Sequence, residues 1–477
     1  MLKITFDNCI RLPSTSPKEF IEEVKKQYTI INPEYKQLMN FKRIAQKDWP
    51  KEDYFITREN YKGRWRTRSI SKYLMYWDYD KHMSITIPRS SFWFLKPILN
   101  QFNIKYSLIK NKEELKTFDF RFNGNLDPKK GQQAVIDYSF TNGIIQAPTG
   151  SGKTVMALYI TSLFKVKTCI TVDTNELANQ WIKRIKQFLN VKDIGFIGGG
   201  KKEVKPITVA LMQTLRENTK LLDNFDLLIV DECHIAATES YELIINNYKG
   251  KYVLGLSATP KRKDGKTIVM HWLLGKTRIK INYENAERCP AKAIFIGTEF
   301  TTKIDWKFNY QAAISTLINN DERNLLIKET IINNIEFPGI HLILSKSVEH
   351  LENLFAFFPE HIRLISRILV GKVNKNDRKE IVEEADKGKL KLIFATQQLL
   401  GRGFDESRLS VLHLIHPIKD EVSLTQFIGR ITRVREGKEL ALIFDYFDKY
   451  EGLLRGYASV RSKLYRKLNI EKQIGER

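Results

Sequence analysis

The feature that most constrains this chain is an eight-residue loop, Ala147-Pro148-Thr149-Gly150-Ser151-Gly152-Lys153-Thr154. The apolar residues before it predict a buried strand and those after it predict a packed helix, at residues 143–145 and 155–160. A glycine-rich loop in this position is typical of a phosphate-binding loop, because its backbone N–H groups and the helix start attract anions. We expect the whole loop to bind a nucleoside triphosphate, with Lys153 reaching the β- and γ-phosphates and Thr154 holding Mg²⁺. A purely structural glycine loop is the alternative.

The charge of the chain indicates a polyanionic partner. Its formal net charge is +23 and its isoelectric point is about 9.6, and the basic excess is concentrated in residues 1–125. A positive charge of this size attracts nucleic acid. A basic surface that is merely solvated is the alternative.

Cysteine spacing and hydropathy exclude several classes of protein. The four cysteines, Cys9, Cys169, Cys233 and Cys289, lie far apart without a C-x-x-C pair, which argues against a zinc site or a disulfide framework. No apolar run approaches the roughly 18 residues of a membrane span, and the first residues lack the apolar core of a signal peptide. We therefore expect a cytoplasmic protein without a membrane partner.

The order of strand and helix signals predicts the domains. After residue 126, apolar strands alternate with amphipathic segments, which indicates an α/β fold with two parallel-sheet units. We predict a small basic α+β domain that binds DNA at residues 1–122 and a first parallel-sheet domain at residues 123–285. A second parallel-sheet domain is predicted at residues 286–447, and a basic helical tail at residues 448–477. The tail helix is expected to place four apolar residues on one face, Leu453, Leu454, Tyr457 and Val460.

Two aromatic-rich stretches lie in the N-terminal region. In the first, Arg64, Trp65 and Arg66 belong to a run of cations interleaved with aromatic rings, which suits phosphate contacts together with base stacking. A charged hairpin edge is the alternative, because alternating arginines also protect the edge of a sheet. The second, Phe92-Trp93-Phe94, we interpret as core in preference to a stacking platform.

Two adjacent carboxylates follow a buried strand. The apolar residues 227–230 run directly into Asp231 and Glu232, as expected where a parallel strand reaches the active edge of its sheet. Hydrolysis of a nucleoside triphosphate needs a metal clamp and a base for water. We therefore expect Asp231 to hold Mg²⁺ through water and Glu232 to orient and deprotonate the attacking water.

A pair of arginines near the end of the chain could supply positive charge to the same reaction. The sequence from Gln426 to Arg433 predicts the start of a helix, on which Gln426, Arg430 and Arg433 would share one face. From a second domain the arginines would act as arginine fingers on the γ-phosphate, and Gln426 would sense the same phosphate. Two solvated arginines on a surface helix are the alternative.

Taken in order, these residues resemble the motifs of superfamily 2 helicases. Ala147–Thr154 resembles motif I, and Asp231-Glu232-Cys233-His234 resembles motif II. Ser257-Ala258-Thr259 resembles motif III, and Gln426–Arg433 resembles motif VI. Thr174–Trp181 is similar to motif Ia, and Gln213-Thr214 is similar to the motif that follows it. Leu344–Ser347 resembles motif IV, and Thr396 with Gly403-Phe404-Asp405 resembles motif V. Within the superfamily, residues 257–265 and 197–200 resemble the UvsW-type phage helicases and their XPB- and RecG-like relatives.

The resemblance implies two tandem RecA-like domains that bind ATP and Mg²⁺ between them, with nucleic acid crossing both on the opposite side. It also implies that Ser257 and Thr259 couple hydrolysis to motion and that Gly403 and Asp405 face the nucleotide. Contacts with the strand backbone are implied for Gln213, Thr214 and Thr396. Gln132 is the expected adenine-reading residue, although Gly131 stands where the family carries an aromatic or basic residue. Arg402 stands where many relatives carry an acid.

We therefore expect a monomeric or weakly associating ATP-dependent DNA helicase that remodels forked or branched DNA in recombination, repair or replication. It would act in the bacterial host cytoplasm if a phage encodes it. Three rival interpretations stay open: a double-strand DNA translocase that does not separate strands, an RNA helicase, and a nucleic-acid-binding protein with a vestigial ATPase.

Overall fold

The computed structural model divides the chain into two compact units. The first comprises Met1–Leu126, Gln133–Ala147 and Lys153–Lys280, and the second comprises Asp127–Gln132, Pro148–Gly152 and Ile281–Arg477. The described residues are all except 7–8, 37–53, 62–63, 111–114, 149, 236–237, 263, 282–287, 371–379, 382, 386, 398–407 and 476–477. At residues 54–61, 64–69 and 110 the backbone alone is described. The proposed bounds of the four domains stay a prediction.

The N-terminal region of the first unit is built on a five-stranded sheet with the order β7-β8-β2-β1-β9. Its elements are β1 Leu2–Phe6, β2 Cys9–Leu12, α1 Lys18–Gln27, β3 Thr29–Ile31, β4 Tyr54–Tyr61, β5 Arg64–Ser71, β6 Tyr73–Met75, β7 Asp78–Tyr79, β8 Ile85–Pro88, α2 Phe92–Gln101 and β9 Tyr106–Lys110. Helix α1 buries Phe20 and Val24, which are four residues apart and so lie on one face. Strand β1 buries Ile4 in the same core.

Both aromatic-rich stretches have a clear backbone placement. The arginine-rich one forms an antiparallel hairpin of β4 and β5, with Tyr61 opposite Arg64, as the hairpin interpretation predicts. The side chains of Arg64, Trp65 and Arg66 lie outside the described part, so their contacts with nucleic acid stay a prediction. In α2, the Phe92 ring packs against Phe6, but the core interpretation is wrong for Trp93, which is exposed.

The first unit also holds an eight-stranded sheet with the order β13-β12-β14-β11-β15-β16-β10-β17. Its elements are β10 Asn142–Gln146, α3 Lys153–Phe164, β11 Thr168–Val172, α4 Asn175–Phe188, β12 Gly195–Gly198, β13 Lys201–Glu203, β14 Ile207–Leu211, α5 Met212–Glu217, β15 Leu227–Val230, α6 Glu239–Asn247, β16 Tyr252–Ser257, α7 Thr267–Leu274 and β17 Thr277–Lys280. Strand β13 pairs antiparallel with β12, and the other pairs are parallel. The predicted parallel sheet is confirmed.

A buried arginine joins the N-terminal region to this sheet. The Arg89 guanidinium donates hydrogen bonds to the carbonyl oxygens of Tyr248, Gly250 and Lys251, at 3.0, 2.6 and 3.2 Å. Nearby, the rings of Tyr28 and Trp272 lie 5.0 Å apart, and residues of both parts share one hydrophobic core. The N-terminal region is therefore part of the same packed body as the sheet.

The second unit is built on a seven-stranded parallel sheet with the order β20-β21-β19-β22-β23-β18-β24. Its elements are β18 Ala291–Thr298, α8 Tyr310–Ile318, α9 Asp321–Asn333, β19 Ile340–Ser345, α10 Val348–Ala356, α11 Glu360–Leu364, β20 Ser366–Leu369, β21 Leu392–Thr396, β22 Leu409–Leu414, α12 Glu421–Ile431, β23 Ala441–Asp448, α13 Gly452–Lys467 and β24 Glu471–Ile474. Strands β19 and β22 are buried along their whole length, so they lie inside the sheet with helices on both faces.

The tail helix α13 is held by a buried ion pair. Arg461 donates to both oxygens of Asp445 at 2.6–3.1 Å, and the Tyr465 hydroxyl donates to the same carboxylate at 2.8 Å. The predicted helix is confirmed, but its predicted apolar face is wrong at Leu453, which is exposed. Part of the buried face is polar because the Asp445 carboxylate needs a partner there.

Across the described ranges, no helix combines the length and the apolarity that crossing a membrane would require.

Replacing Asp445 with alanine should loosen the tail helix. The change leaves the Arg461 guanidinium buried without a counter-charge, which costs about 3–5 kcal/mol. Hydrogen exchange of α13 amides in the full chain should then become faster. Lys463→Ala, on the exposed side of the same helix, is the control and should change local stability by less than about 0.5 kcal/mol. Equal exchange in the two variants would contradict the assigned role of the ion pair.

Candidate nucleotide site

Parallel strand direction brings three predicted motifs to one edge of the eight-stranded sheet. Strands β10, β11, β14, β15 and β16 run in the same direction, so their carboxyl ends lie along the same side of the sheet. The phosphate loop follows β10, the paired carboxylates follow β15, and the Ser257–Thr259 motif follows β16. This edge is the candidate site.

The phosphate loop has the backbone that anion binding requires. Gly150 and Gly152 have φ values of +85° and +86°, a region that glycine tolerates and that turns backbone N–H groups inward. Among the described residues other than its chain neighbours, no heavy atom lies within 4 Å of a Cβ placed on Gly150, so the loop is open at this point. Within the loop, the Ser151 hydroxyl donates to the Pro148 carbonyl oxygen at 2.7 Å. Thr149 lies outside the described residues.

Lys153 and Thr154 begin helix α3. The Lys153 ammonium donates to the Ala147 carbonyl oxygen at 3.2 Å, which holds this cation at the loop where a phosphate would take its place as partner. Thr154 lies in the first turn and is half-buried. The site therefore combines an open loop, a lysine that donates to the loop backbone and the first turn of a helix. These three features together fit a triphosphate.

Gln132 supports the loop through its side chain. It is buried, its amide nitrogen donates to the Ser151 carbonyl oxygen at 2.9 Å, and its amide oxygen accepts from the Asp127 N–H at 3.0 Å. Both ends of the amide therefore have backbone partners. The predicted reading of adenine by Gln132 stays a prediction, because these bonds would have to be exchanged for bonds to a base.

Asp231 is a half-buried carboxylate held by a tryptophan. The Trp181 indole N–H on α4 donates to the Asp231 Oδ2 atom at 2.8 Å. Burial and the neighbouring Glu232 raise the pKa of Asp231, whereas the Trp181 hydrogen bond and the Lys153 charge lower it. A carboxylate in this balance gains from a bound cation, and its oxygens with the Thr154 hydroxyl are ligands that Mg²⁺ prefers.

Glu232 has an unusual backbone conformation. Its φ is +47°, in a left-handed region that costs a residue with a side chain about 1–3 kcal/mol. The Glu232 N–H donates to the Asp231 Oδ1 atom at 2.9 Å, and its Oε2 atom lies 3.3 Å from the His234 Nδ1 atom. The two carboxylates therefore have different side-chain partners, Trp181 for Asp231 and His234 for Glu232, so one can serve a metal and the other a water.

A polar network joins the carboxylates to the coupling motif. The Ser257 hydroxyl lies 3.4 Å from the His234 Nδ1 atom and accepts from the Thr259 N–H at 3.2 Å. Arg262 donates to the His234 carbonyl oxygen at 2.6 Å and pairs with Asp264. Ser257 and Thr259 are therefore connected to Glu232 through His234, as their predicted coupling role requires.

In the second unit, two of the predicted phosphate-sensing residues share a helix face. Gln426 and Arg430 are four residues apart on α12, and both are half-buried. The prediction that Arg433 lies on this helix is wrong: α12 ends at Ile431, and the Arg433 N–H donates to the Arg430 carbonyl oxygen at 3.4 Å in the turn that follows. Gly403 and Asp405, like Arg402, lie outside the described residues.

The predicted strand contacts lie at the ends of sheet strands. Gln213 and Thr214 are on α5 directly after β14, where Gln213 is exposed and Thr214 half-buried. Thr396 ends β21 and is buried. Their contacts with nucleic acid stay a prediction.

The sequence does not predict the contacts of Trp181 and Arg262. The two residues enter the sequence analysis only within the motif-like ranges 174–181 and 257–265. Trp181 is buried on α4 beside Ala178 and Ile185, and a buried indole N–H needs an acceptor, so the spacing of this apolar face was a usable signal. The partner, fifty residues away, could not be named from the sequence.

Two family descriptions match this chain. Residues 108–262 match the type III restriction enzyme, res subunit family, and residues 322–435 match the helicase conserved C-terminal domain. The two matches cover the phosphate loop with the paired carboxylates and the arginine-bearing α12, respectively.

Relatives with established names are also helicases or translocases. The DNA 3'-5' translocase XPB2 of Sulfurisphaera tokodaii is 37% identical over 174 residues, which are 36% of this chain and 37% of that protein. The ATP-dependent DNA helicase uvsW of Enterobacteria phage T4 is 26% identical over 378 residues, which are 71% of this chain and 74% of that protein. The chain thus spans little more than a third of the length of the first relative.

A solved structure supports the fold. S. cerevisiae Dbp5 bound to RNA and ADP BeF3 superposes with a TM-score of 0.53 and 14% identity, covering 80% of this chain and 92% of that chain. The predicted α/β fold class with two RecA-like, mostly parallel sheets is confirmed.

Replacing Trp181 with phenylalanine should make ATP hydrolysis more sensitive to acid. The hydrogen bond stabilises the charged carboxylate, so its loss raises the pKa of Asp231 further, and a proton then competes with Mg²⁺ as the pH falls. We expect ATPase activity below pH 7 to drop about tenfold relative to the unaltered protein, with a smaller difference at pH 9.

The control is Trp306→Phe in the second unit, which also removes an indole N–H from a carboxylate, Glu451, at 2.6 Å. An ATPase pH profile that shifts equally in both variants, or in neither, would contradict the assigned role of Trp181.

Proposed function

The chain belongs to the superfamily 2 helicases, which hydrolyse ATP, and from that premise we propose that it is a DNA-dependent helicase that remodels forked or branched DNA. The observation that carries the proposal is the carboxyl edge of the first sheet, where an open phosphate loop follows β10 and the Asp231–Glu232 pair follows β15, two parallel strands separated only by β16. The ATP-binding motif and the base for hydrolysis therefore belong to one site.

In this proposal each residue has one role. The loop N–H groups and Lys153 bind the phosphates, and Asp231 with Thr154 holds Mg²⁺, which neutralises charge on the triphosphate. Glu232 orients the attacking water and accepts its proton. Arg430 and Arg433 stabilise the negative charge that develops on the γ-phosphate, and Gln426 senses that phosphate.

Hydrolysis is then coupled to motion through Ser257 and Thr259. The polar network from Glu232 through His234 to Ser257 supports this role, because a change at the carboxylate reaches the motif through direct contacts. Gln213, Thr214 and Thr396 contact the strand backbone. Each ATP cycle shifts the protein along that strand by changing the populations of two states.

DNA is the proposed substrate on two grounds. The net charge of +23 suits a polyanion, and the two relatives named above carry DNA in their names. A double-strand DNA translocase without strand separation is the second candidate, favoured by the translocase relative. An RNA helicase is the third, since a putative ATP-dependent RNA helicase of Acanthamoeba polyphaga mimivirus is 26% identical over 377 residues.

Replacing Arg433 with alanine should abolish most ATP hydrolysis while leaving ATP binding. An arginine finger contributes about a thousandfold or more to the rate, because its charge acts mainly in the transition state. ATPase turnover with single-stranded DNA and binding of a fluorescent ATP analogue measure the two effects. Arg435→Ala, an exposed arginine two residues away, is the control and should hydrolyse ATP normally. Normal turnover by Arg433→Ala would contradict the role.

A substrate panel separates the three candidate functions. ATPase stimulation by single-stranded DNA, duplex DNA, forked DNA, four-way junctions and RNA is measured at two salt concentrations, because such binding depends on salt. Strand displacement on forks and triplex displacement on plain duplex are measured in parallel. The proposal expects greatest stimulation and displacement with forks or junctions, and none of either with Glu232→Gln. Triplex displacement alone would favour the translocase, and stimulation by RNA alone the RNA helicase.

A further inference from the structure

One tryptophan of helix α2 lies on the surface among cations. Trp93 is 43% exposed, whereas its neighbour Phe92 packs its ring against Phe6 and Tyr106. Exposure of so large a ring, next to a half-buried ring that packs against the core, needs a reason, because burial of an aromatic side chain is strongly favourable. The surroundings of Trp93 give one.

Three cations surround the Trp93 ring. The Lys96 and Lys276 ammonium nitrogens lie 5.9 and 5.3 Å from its centroid, and the Arg278 guanidinium carbon lies 5.3 Å away. Cation–π attraction favours each of these placements. Within the described part of the chain, no carboxylate forms an ion pair with any of the three. Their mutual repulsion is therefore left for a negatively charged partner to relieve.

A second exposed ring extends the surface. The Arg278 guanidinium carbon lies 4.4 Å from the centroid of Phe140, which is 42% exposed, and the Arg278 Nε atom donates to the Asn142 carbonyl oxygen at 3.3 Å. Arg278 is thus held in place between two exposed aromatic rings. Aromatic rings and cations alternate over this surface, which we call the Trp93 surface and define by Trp93, Lys96, Phe140, Lys276 and Arg278.

The Trp93 surface lies away from the candidate nucleotide site. Asn142 is the first residue of β10 and Thr277 the first of β17, so the surface borders the amino edge of the sheet. The phosphate loop follows the other end of β10, and a strand of five residues spans about 15 Å. The two surfaces can therefore be occupied at the same time.

We propose that the Trp93 surface binds single-stranded nucleic acid as a second contact, distinct from the strand contacts of the helicase motifs. Phosphates would neutralise Lys96, Lys276 and Arg278, which have no carboxylate partner among the described residues, and unstacked bases would cover the two exposed rings. Duplex DNA offers phosphates but no free base faces. An acidic peptide offers charge but leaves the rings exposed. The single strand is the occupant that satisfies both features.

The inference does not depend on ATP hydrolysis, and its test is done without nucleotide. The full chain is photo-crosslinked to oligo-deoxythymidine that carries 5-iododeoxyuridine, and the adducts are mapped by mass spectrometry. We expect adducts at Trp93 and Phe140. Unlabelled oligo-deoxythymidine should compete strongly, and duplex DNA or polyglutamate of equal charge should compete weakly.

Variants give the magnitudes. Trp93→Ala should weaken the affinity read from the Phe140 adduct about tenfold, and Trp93→Phe should restore most of it, because base stacking needs a ring. Arg278→Gln should lower the slope of log affinity against log salt by about 0.7, the effect of one phosphate contact. Lys463→Gln, an exposed lysine of α13, is the matched control and should change neither value.

Each outcome decides the inference. Adducts elsewhere but none at Trp93 or Phe140 would overturn it, and so would equal competition by polyglutamate, which would indicate an acidic protein segment, or by duplex DNA. ATPase activity of the variants without nucleic acid should equal that of the unaltered protein, which shows that they fold. In the unaltered protein, absence of adducts at both Trp93 and Phe140 together with normal ATPase activity overturns only the Trp93 surface, whereas adducts at both rings in a chain that never hydrolyses ATP overturn only the proposed function.

Discussion

The direction of the strands in the first sheet is the constraint on which the rest of the site depends. Since β10, β15 and β16 are parallel and adjacent, the segments that follow them must emerge along one edge. A phosphate loop, a pair of carboxylates and a serine–threonine turn, which are far apart in the sequence, become neighbours for this reason alone.

At that edge the chemistry rests on one half-buried carboxylate. Partial burial favours the neutral form of Asp231, but the indole N–H of Trp181 and the charge of Lys153 favour its ionised form. Opposing influences of this kind keep a group ready to exchange a proton or a hydrogen bond for a metal ion. The next residue, Glu232, adds a second carboxylate in a left-handed backbone conformation, and its side chain lies beside His234.

Local patterns were predictable from the sequence, and distant contacts were not. The apolar residues 143–145 and 227–230 have the composition of buried parallel strands, and both predicted strands are confirmed as β10 and β15. The end of α12 at Ile431, which leaves Arg433 outside the helix, depends on packing that the local spacing of arginines does not encode. The hydrogen bonds of Gln132 with Ser151 depend on the tertiary fold in the same way.

Surface aromatic residues were the harder case. Phe92 and Trp93 have similar hydrophobicity, and only the direction of each side chain on α2 decides that one is core and the other is exposed. The cations around Trp93 come partly from α2 itself and partly from residues near β17, almost two hundred positions later. No sequence window contains that cluster, so no motif could have announced it.

The three hydrogen bonds of Arg89 have a consequence for how the chain unfolds. They tie the end of β8 to the carbonyl groups just before β16, a central strand of the eight-stranded sheet. Opening either part alone would leave the buried Arg89 guanidinium without its carbonyl partners, so separate opening of either part costs free energy. The N-terminal region and the first sheet should therefore unfold as one cooperative unit. The basic hairpin β4–β5 belongs to this N-terminal region and should unfold with it.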